Sequence, residues 1–218
     1  ALAELNLTLG YLTQVALKNK KDAAPYLYKV TQSSTAAAKN PIPYELIGRF
    51  YFDELNALVE KIKAAEASQS PTDTVEVAQK KVDDIKALVA LANGTAERAM
   101  DAFSRAFTNA DPKAAEYKKQ MKSNVEAAYK LRFGKVDGVD RWIAGVGTKP
   151  FPNPTSPITP VSDPETTTTT TTTTSGSTPP AAPATKPAPV KAASATNGKP
   201  ATAAKQPSAK AVAKKKGV

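Results

Sequence analysis

The chain has 218 residues, no cysteine, no histidine and a formal net charge of +10. Without thiol or imidazole there is no disulfide, no thiolate nucleophile, no ordinary zinc site and no access to the commonest general base, which argues against many catalytic designs. The excess charge sits at one end, because residues 166–218 hold eight lysines, no arginine and no acid, leaving +2 for everything before them.

Leu2, Leu5, Leu9 and Leu12 recur at helical spacing with no proline before Pro25, which predicts a helix from almost the first residue. The chain begins at Ala1 with no initiating methionine. The expectation is therefore a removed export signal or a longer chain upstream. Asp22 is placed to cap a second helix that turns Ala24, Leu27 and Tyr28 inward and fades in the polar stretch from Ser33 to Asn40.

Pro41-Ile42-Pro43 opens a long helix whose apolar positions Ile47, Tyr51, Leu55, Leu58, Ile62 and Ala65 come every three or four residues. Its end is expected near Ser70-Pro71, since the residue before a proline is pushed out of the helical region. Thr72 or Thr74 caps the next helix, with Val75, Ala78, Val82, Ile85, Val89 and Ala92 forming a second seam. Two such seams joined by a turn predict an antiparallel helical hairpin. Asn93-Gly94 is expected to kink or break the second helix, which resumes at once through Glu97, Met100, Phe103 and Phe107. Asp111-Pro112 reads as a cap and first-turn proline for a helix carrying Tyr117, Met121, Val125 and Ala128, stopped by Gly134. A short helix from about Asp137 to Ala144 supplies Trp142 and Ile143 to close the core.

The fold class is thus all-α, and residues 1–147 form the one domain with a core. Beyond it lie 13 of the 18 prolines and only one aromatic residue, Phe151. Burial there cannot offset a backbone ordering cost of about 1–2 kcal/mol per residue.

Tyr44, Ile47, Gly48 and Tyr51 stand at the spacing of the first helix of a tetratricopeptide repeat, and Ala99, Phe103, Ala106 and Pro112 at that of the second. The chain resembles that family over residues 1–147, with a weaker mark at Leu9-Gly10, Ala24 and Tyr28. It departs from the pattern by about 39 inserted residues between Tyr51 and Ala99, where the family leaves about nine. Helical periodicity on both flanks predicts that residues of about 52–98 project as a long hairpin arm. The resemblance implies stacked antiparallel hairpins of solenoid type, and a groove toward which Glu45, Arg49 and Phe52 turn to hold peptide. A solenoid of so few repeats leaves an end face to be covered, by further repeats or by another copy.

No catalytic constellation, metal site or cofactor fingerprint emerges. Asp83-Asp84 lies among lysines on an exposed helix, and the glycines after residue 133 make no phosphate loop. The expectation is a chain that is not an enzyme.

The remainder divides in three. Residues 148–165 form a proline-rich extended strap with apolar pegs Phe151, Ile158 and Val161, suited to docking on its own domain or on a neighbouring copy. Residues 166–180 are a Thr/Ser/Pro stalk in which Thr166, Thr167, Thr168, Thr169, Thr170, Thr171, Thr172, Thr173 and Thr174 are candidate O-glycan acceptors. Asn6-Leu7-Thr8 and Asn93-Gly94-Thr95 also fit the N-glycan pattern. Residues 181–218 are a Lys/Ala/Pro tail whose Lys210, Lys214, Lys215 and Lys216 are candidate contacts to nucleic acid or another polyanion.

No segment approaches the ~20 apolar residues of a membrane span. The leading expectation is a non-catalytic scaffold, exported to the periplasm or cell surface, whose partners are other copies of itself. The alternative is an intracellular adaptor that binds polyanions through its tail.

Overall fold

Asn40 caps the first helix of the central pair. Its side-chain oxygen accepts the Ile42 N–H at 2.9 Å, and Pro41 and Pro43 stand in the first turn, where their missing N–H groups cost nothing. In the computed structural model, which describes residues 1–163, this is the start of α3, Pro41–Ala67. The threonine run and lysine tail, and the expectations placed on them, lie outside the described residues.

Among those described residues the protein is all-helical, with no strand. Before α3 come α1, Leu2–Val15, and α2, Lys20–Thr31; after it come α4, Val75–Asn109, α5, Ala115–Phe133, and α6, Val139–Gly145. Among the described residues, no helix is long and apolar enough to cross a membrane.

α3 and α4 form the central antiparallel pair. Gly48 meets Phe103 near one end of it: a Cβ on Gly48 would stand 2.7 Å from the Phe103 ring, so glycine sets how closely the helices approach. Around that crossing Tyr51, Ile47, Phe103, Met100 and Leu27 are fully buried or nearly so, with Ala99 and Ala106 giving room. Farther out, Leu55 and Leu58 close against Ala92 and Ala96 in a second, smaller cluster. The pair then runs on to a turn at residues 68–74. There Asp73 accepts the Ser70 N–H at 3.0 Å, while Lys81 Nζ donates to Asp73 and to the Ser68 carbonyl, both at 2.7 Å.

Three sequence expectations shift. Asp22 does not cap α2: it lies in the first turn, and its N–H donates to the side-chain oxygen of the true cap, Asn19, at 3.1 Å. α4 is continuous through Asn93-Gly94. Asp111-Pro112 does not begin α5: Asp111 accepts the Lys113 N–H in a turn at 2.8 Å, and the helix starts at Ala115 after an uncapped Ala114. Gly134 ends α5 in the left-handed region, φ 71°.

α5 lays Met121, Val125 and Ala128 into the core, α6 adds Val139 and Ile143, and Trp142 packs half-buried beside them. α2 contributes Ala23 and Leu27 from the other side, and α1 rests on α2 through Gly10, whose absent Cβ leaves space for Leu27.

Candidate functional site

Beyond α6 the chain becomes a proline-punctuated ribbon that no helix can absorb, and α4 supplies what holds it. Arg98 does most of the holding. Its Nη1 donates to the carbonyls of Asn153 (3.2 Å) and Ser156 (3.0 Å), and its Nη2 to Ser156 Oγ (3.2 Å) and the Pro157 carbonyl (2.6 Å). Nη1 also reaches the Tyr51 hydroxyl at 3.2 Å, so the guanidinium joins the core to the strap. A planar fork with five donors suits a cluster of oxygens in a way a lysine ammonium does not.

The same face of α4 continues the grip in both directions. Arg105 Nη2 donates to the carbonyls of Val146 and Lys149 at 2.8 and 2.6 Å, while its Nε is held by Asp101 at 2.6 Å. Asn93 Nδ2 donates to the Val161 carbonyl (3.0 Å), and the Val161 N–H returns a bond to the Ala90 carbonyl (2.8 Å). Between them lies Gly94, against which the Thr159 carbonyl is pressed. Arg132 Nη1 closes on Asp163 at 2.7 Å, with Glu97 3.3 Å from its Nε. The strap is read through its main chain, which suits a segment whose prolines leave carbonyls free and donors few.

One side chain of the strap is anchored deeply. Phe151 is 6% exposed and sits against Tyr44, edge-on at 5.0 Å, and Tyr28 at 6.1 Å, with the Arg105 guanidinium 5.3 Å from its ring centre. Ile158 and Val161 are half-buried.

Electrostatics follow from this burial. The Tyr51 phenol is pushed up by burial, against the opposing pull of Arg98. Burial also raises the Asp101 carboxyl, although Arg105 holds it back through hydrogen bond and charge.

The residues expected to line a peptide groove differ in burial. Glu45 is buried and bound by Arg49 (Nη2 to Oε1, 2.6 Å), itself exposed, while Phe52 is half-buried against Phe103 at 6.3 Å between centroids. Tyr117 lies beside Glu45, and burial, then the carboxylate charge, push its phenol strongly up. Tyr44, Ile47, Gly48, Tyr51, Ala99, Phe103 and Ala106 gather in the core, whereas Pro112 is exposed in the α4–α5 turn. Asn6 and Asn93 are both buried and hydrogen-bonded, Asn6 to the Leu2 carbonyl at 3.0 Å, so the folded chain presents neither as a glycan acceptor.

Sequence reasoning did not single out Arg98, Arg105 and Asn93 as the groups that hold this segment. The available signal was Asn93-Gly94, a helix-breaking pair inside an otherwise regular seam; the structure uses it as a seat for another backbone. Among the described residues, no group of three carboxylate, imidazole or thiolate side chains is placed to hold a metal ion.

Comparison with protein-family models, with curated proteins and with solved structures returns no match for this chain.

Proposed function

We propose that the protein is a non-catalytic helical scaffold of tetratricopeptide-like type that associates with other copies of itself and holds out its C-terminal tail from a fixed point on its surface. The strap bound along α4 carries this reading. Arg98 takes four strap oxygens, and Arg105, Asn93 and Phe151 fix the segment on either side. So many contacts to a chain without secondary structure suit a segment that transmits position or load to the residues C-terminal to it.

Those residues comprise a run of nine threonines and a lysine-rich tail, a composition suited to a glycan-bearing stalk on an exported or surface protein. The test is twofold. Limited proteolysis of the full chain is expected to cut beyond residue 163 and spare residues 150–161; cleavage within the strap as fast as beyond it removes the display reading. Light scattering over a concentration series is expected to show reversible assembly, and a strict monomer removes the association reading. Intact mass of native material decides whether the threonines carry glycans.

A second reading draws on the tail alone. Eight lysines without an acid in residues 166–218 favour a polyanion, with affinity arising from counterion release and no sequence preference. It predicts heparin or nucleic-acid binding that falls steeply with salt and vanishes on deletion of residues 186–218.

A further inference from the structure

α1 is docked with its polar side inward. Its buried residues are Asn6, Gly10 and Gln14: Gly10 admits Leu27, and Gln14 Nε2 donates to the Leu46 carbonyl at 3.2 Å. Leu7 packs half-buried against the core, but the other four leucines point away, with Leu2 73%, Leu5 55%, Leu9 38% and Leu12 50% exposed. An ordinary surface helix does the opposite. The orientation is fixed by shape, because turning the helix to bury the leucines would drive a branched side chain into the space that Gly10 leaves for Leu27.

Leu2, Leu5, Leu9, Leu12 and Ala16 are separated by three, four, three and four residues, the a/d alternation that lets one helix seat its knobs between those of a like helix. We infer that this row is the surface through which two copies of the chain meet, as an antiparallel pair of α1 helices. The inference rests on the self-association proposed above and names its contact face.

Charge selects the occupant and the direction. Glu4 is the sole charged side chain in α1, so neither an acidic nor a basic partner finds complement on the row, whereas a second uncharged row does. Just past the helix come exposed Lys18 and Lys21. An antiparallel pairing that sets Leu9 beside Leu12 of the second copy brings each Glu4 toward the other's lysines and opposes the two helix dipoles. A membrane surface is a poorer fit, since interfacial helices carry Lys and Arg on their polar face, and here that face holds none and is packed on the body. Fourteen residues make a helix about 21 Å long. The contact therefore falls below the roughly 800 Å² per partner of a standing complex, and the dimer is expected to be reversible.

The full chain is tested by sedimentation velocity over a concentration series, beside Leu5→Glu/Leu9→Glu and, as a control on another exposed apolar patch, Val75→Glu/Val82→Glu. Expected is a concentration-dependent dimer in the wild type and the control that is lost in the leucine variant, with equal helical circular dichroism in all three. A dimer that survives Leu5→Glu/Leu9→Glu overturns the α1 surface while leaving self-association standing. A wild type that stays monomeric overturns both, as does one that is monomeric in solution but cosediments with anionic vesicles through α1. The cysteine-free chain allows a second readout that does not depend on disrupting the row. Oxidising a mixture of Leu9→Cys and Leu12→Cys chains is expected to give the mixed disulfide in excess over either homodimer. Homodimers alone would mean a parallel pairing and overturn the stated geometry.

Discussion

Gly94 lies directly beneath Thr159: a Cβ on Gly94 would stand 2.2 Å from the Thr159 carbonyl oxygen and 3.0 Å from Ile158 Cγ2. Both close neighbours belong to the strap. A residue that sequence logic reads as a helix breaker is thus a docking surface, and it separates strap attachment from helix stability in a way that can be measured.

Gly94→Ala is expected to lift the strap while α4 itself gains about 1 kcal/mol of helix propensity. Hydrogen exchange should show protection lost at the Val161 amide, which bonds to Ala90, while core amides of α3 and α4 keep theirs. Loss of protection throughout the domain would mean that the strap is integral to the core.

Arg98→Ala removes the donors to Asn153, Ser156 and Pro157 and the bond to the Tyr51 hydroxyl. Hydrogen bonds from a charged donor contribute about 1.5–3 kcal/mol each when desolvated, but these strap carbonyls are near solvent and can rehydrate. The expected loss is therefore about 1–2 kcal/mol in all, read as a lower urea midpoint with faster proteolysis between residues 150 and 163. Arg98→Lys should recover only a minor part, since one ammonium cannot serve an arc of five oxygens.

The helical layout was legible because apolar periodicity, capping residues and prolines are local signals. Asn40, Thr74 and Gly134 each mark a helix end in the structure. The strap's hold was not legible, because Arg98 and Ser156 are 58 residues apart and the recognised atoms are main-chain carbonyls, which leave no trace in side-chain pattern. The orientation of α1 was hidden for a related reason. Leucine spacing reports a helix, but which side of it faces the body is decided by Gly10 meeting Leu27 across a turn. Asp111-Pro112 misled because a capping pair can also close a plain turn, and the helix waits until Ala115.

Gly48→Ala tests the α3–α4 crossing. The added methyl would stand 2.7 Å from Phe103 Cδ1 and 3.0 Å from Cγ, and the ring is buried, so the two helices must separate. Overpacking of this kind costs about 1–3 kcal/mol, against about 1 kcal/mol gained in helix propensity, so Tm should fall. Gly48→Ala combined with Phe103→Leu should be less harmful than the sum of the two changes. Strict additivity in thermal melts would show that the two sites do not share one space.

The turn at the end of the α3–α4 pair should respond to acid. Asp73 is held below the usual carboxylate range, first by its hydrogen bond from Lys81 and then by the Ser70 N–H. A carboxylate whose pKa is depressed in the folded state contributes stability that is complete above its unfolded value of 3.8 and is lost as pH falls through the folded value. Between neutral pH and about 5 the turn is expected to be unchanged. Below about pH 4 the Ser70 amide should lose protection and the Lys81 bond to the Ser68 carbonyl should loosen with it, since the Ser70 amide and the Lys81 ammonium both rest on the ionised carboxylate. Asp73→Asn should bring the same loosening to neutral pH and abolish its pH dependence. An Asn variant whose Ser70 amide still titrates in acid would assign the transition to another group.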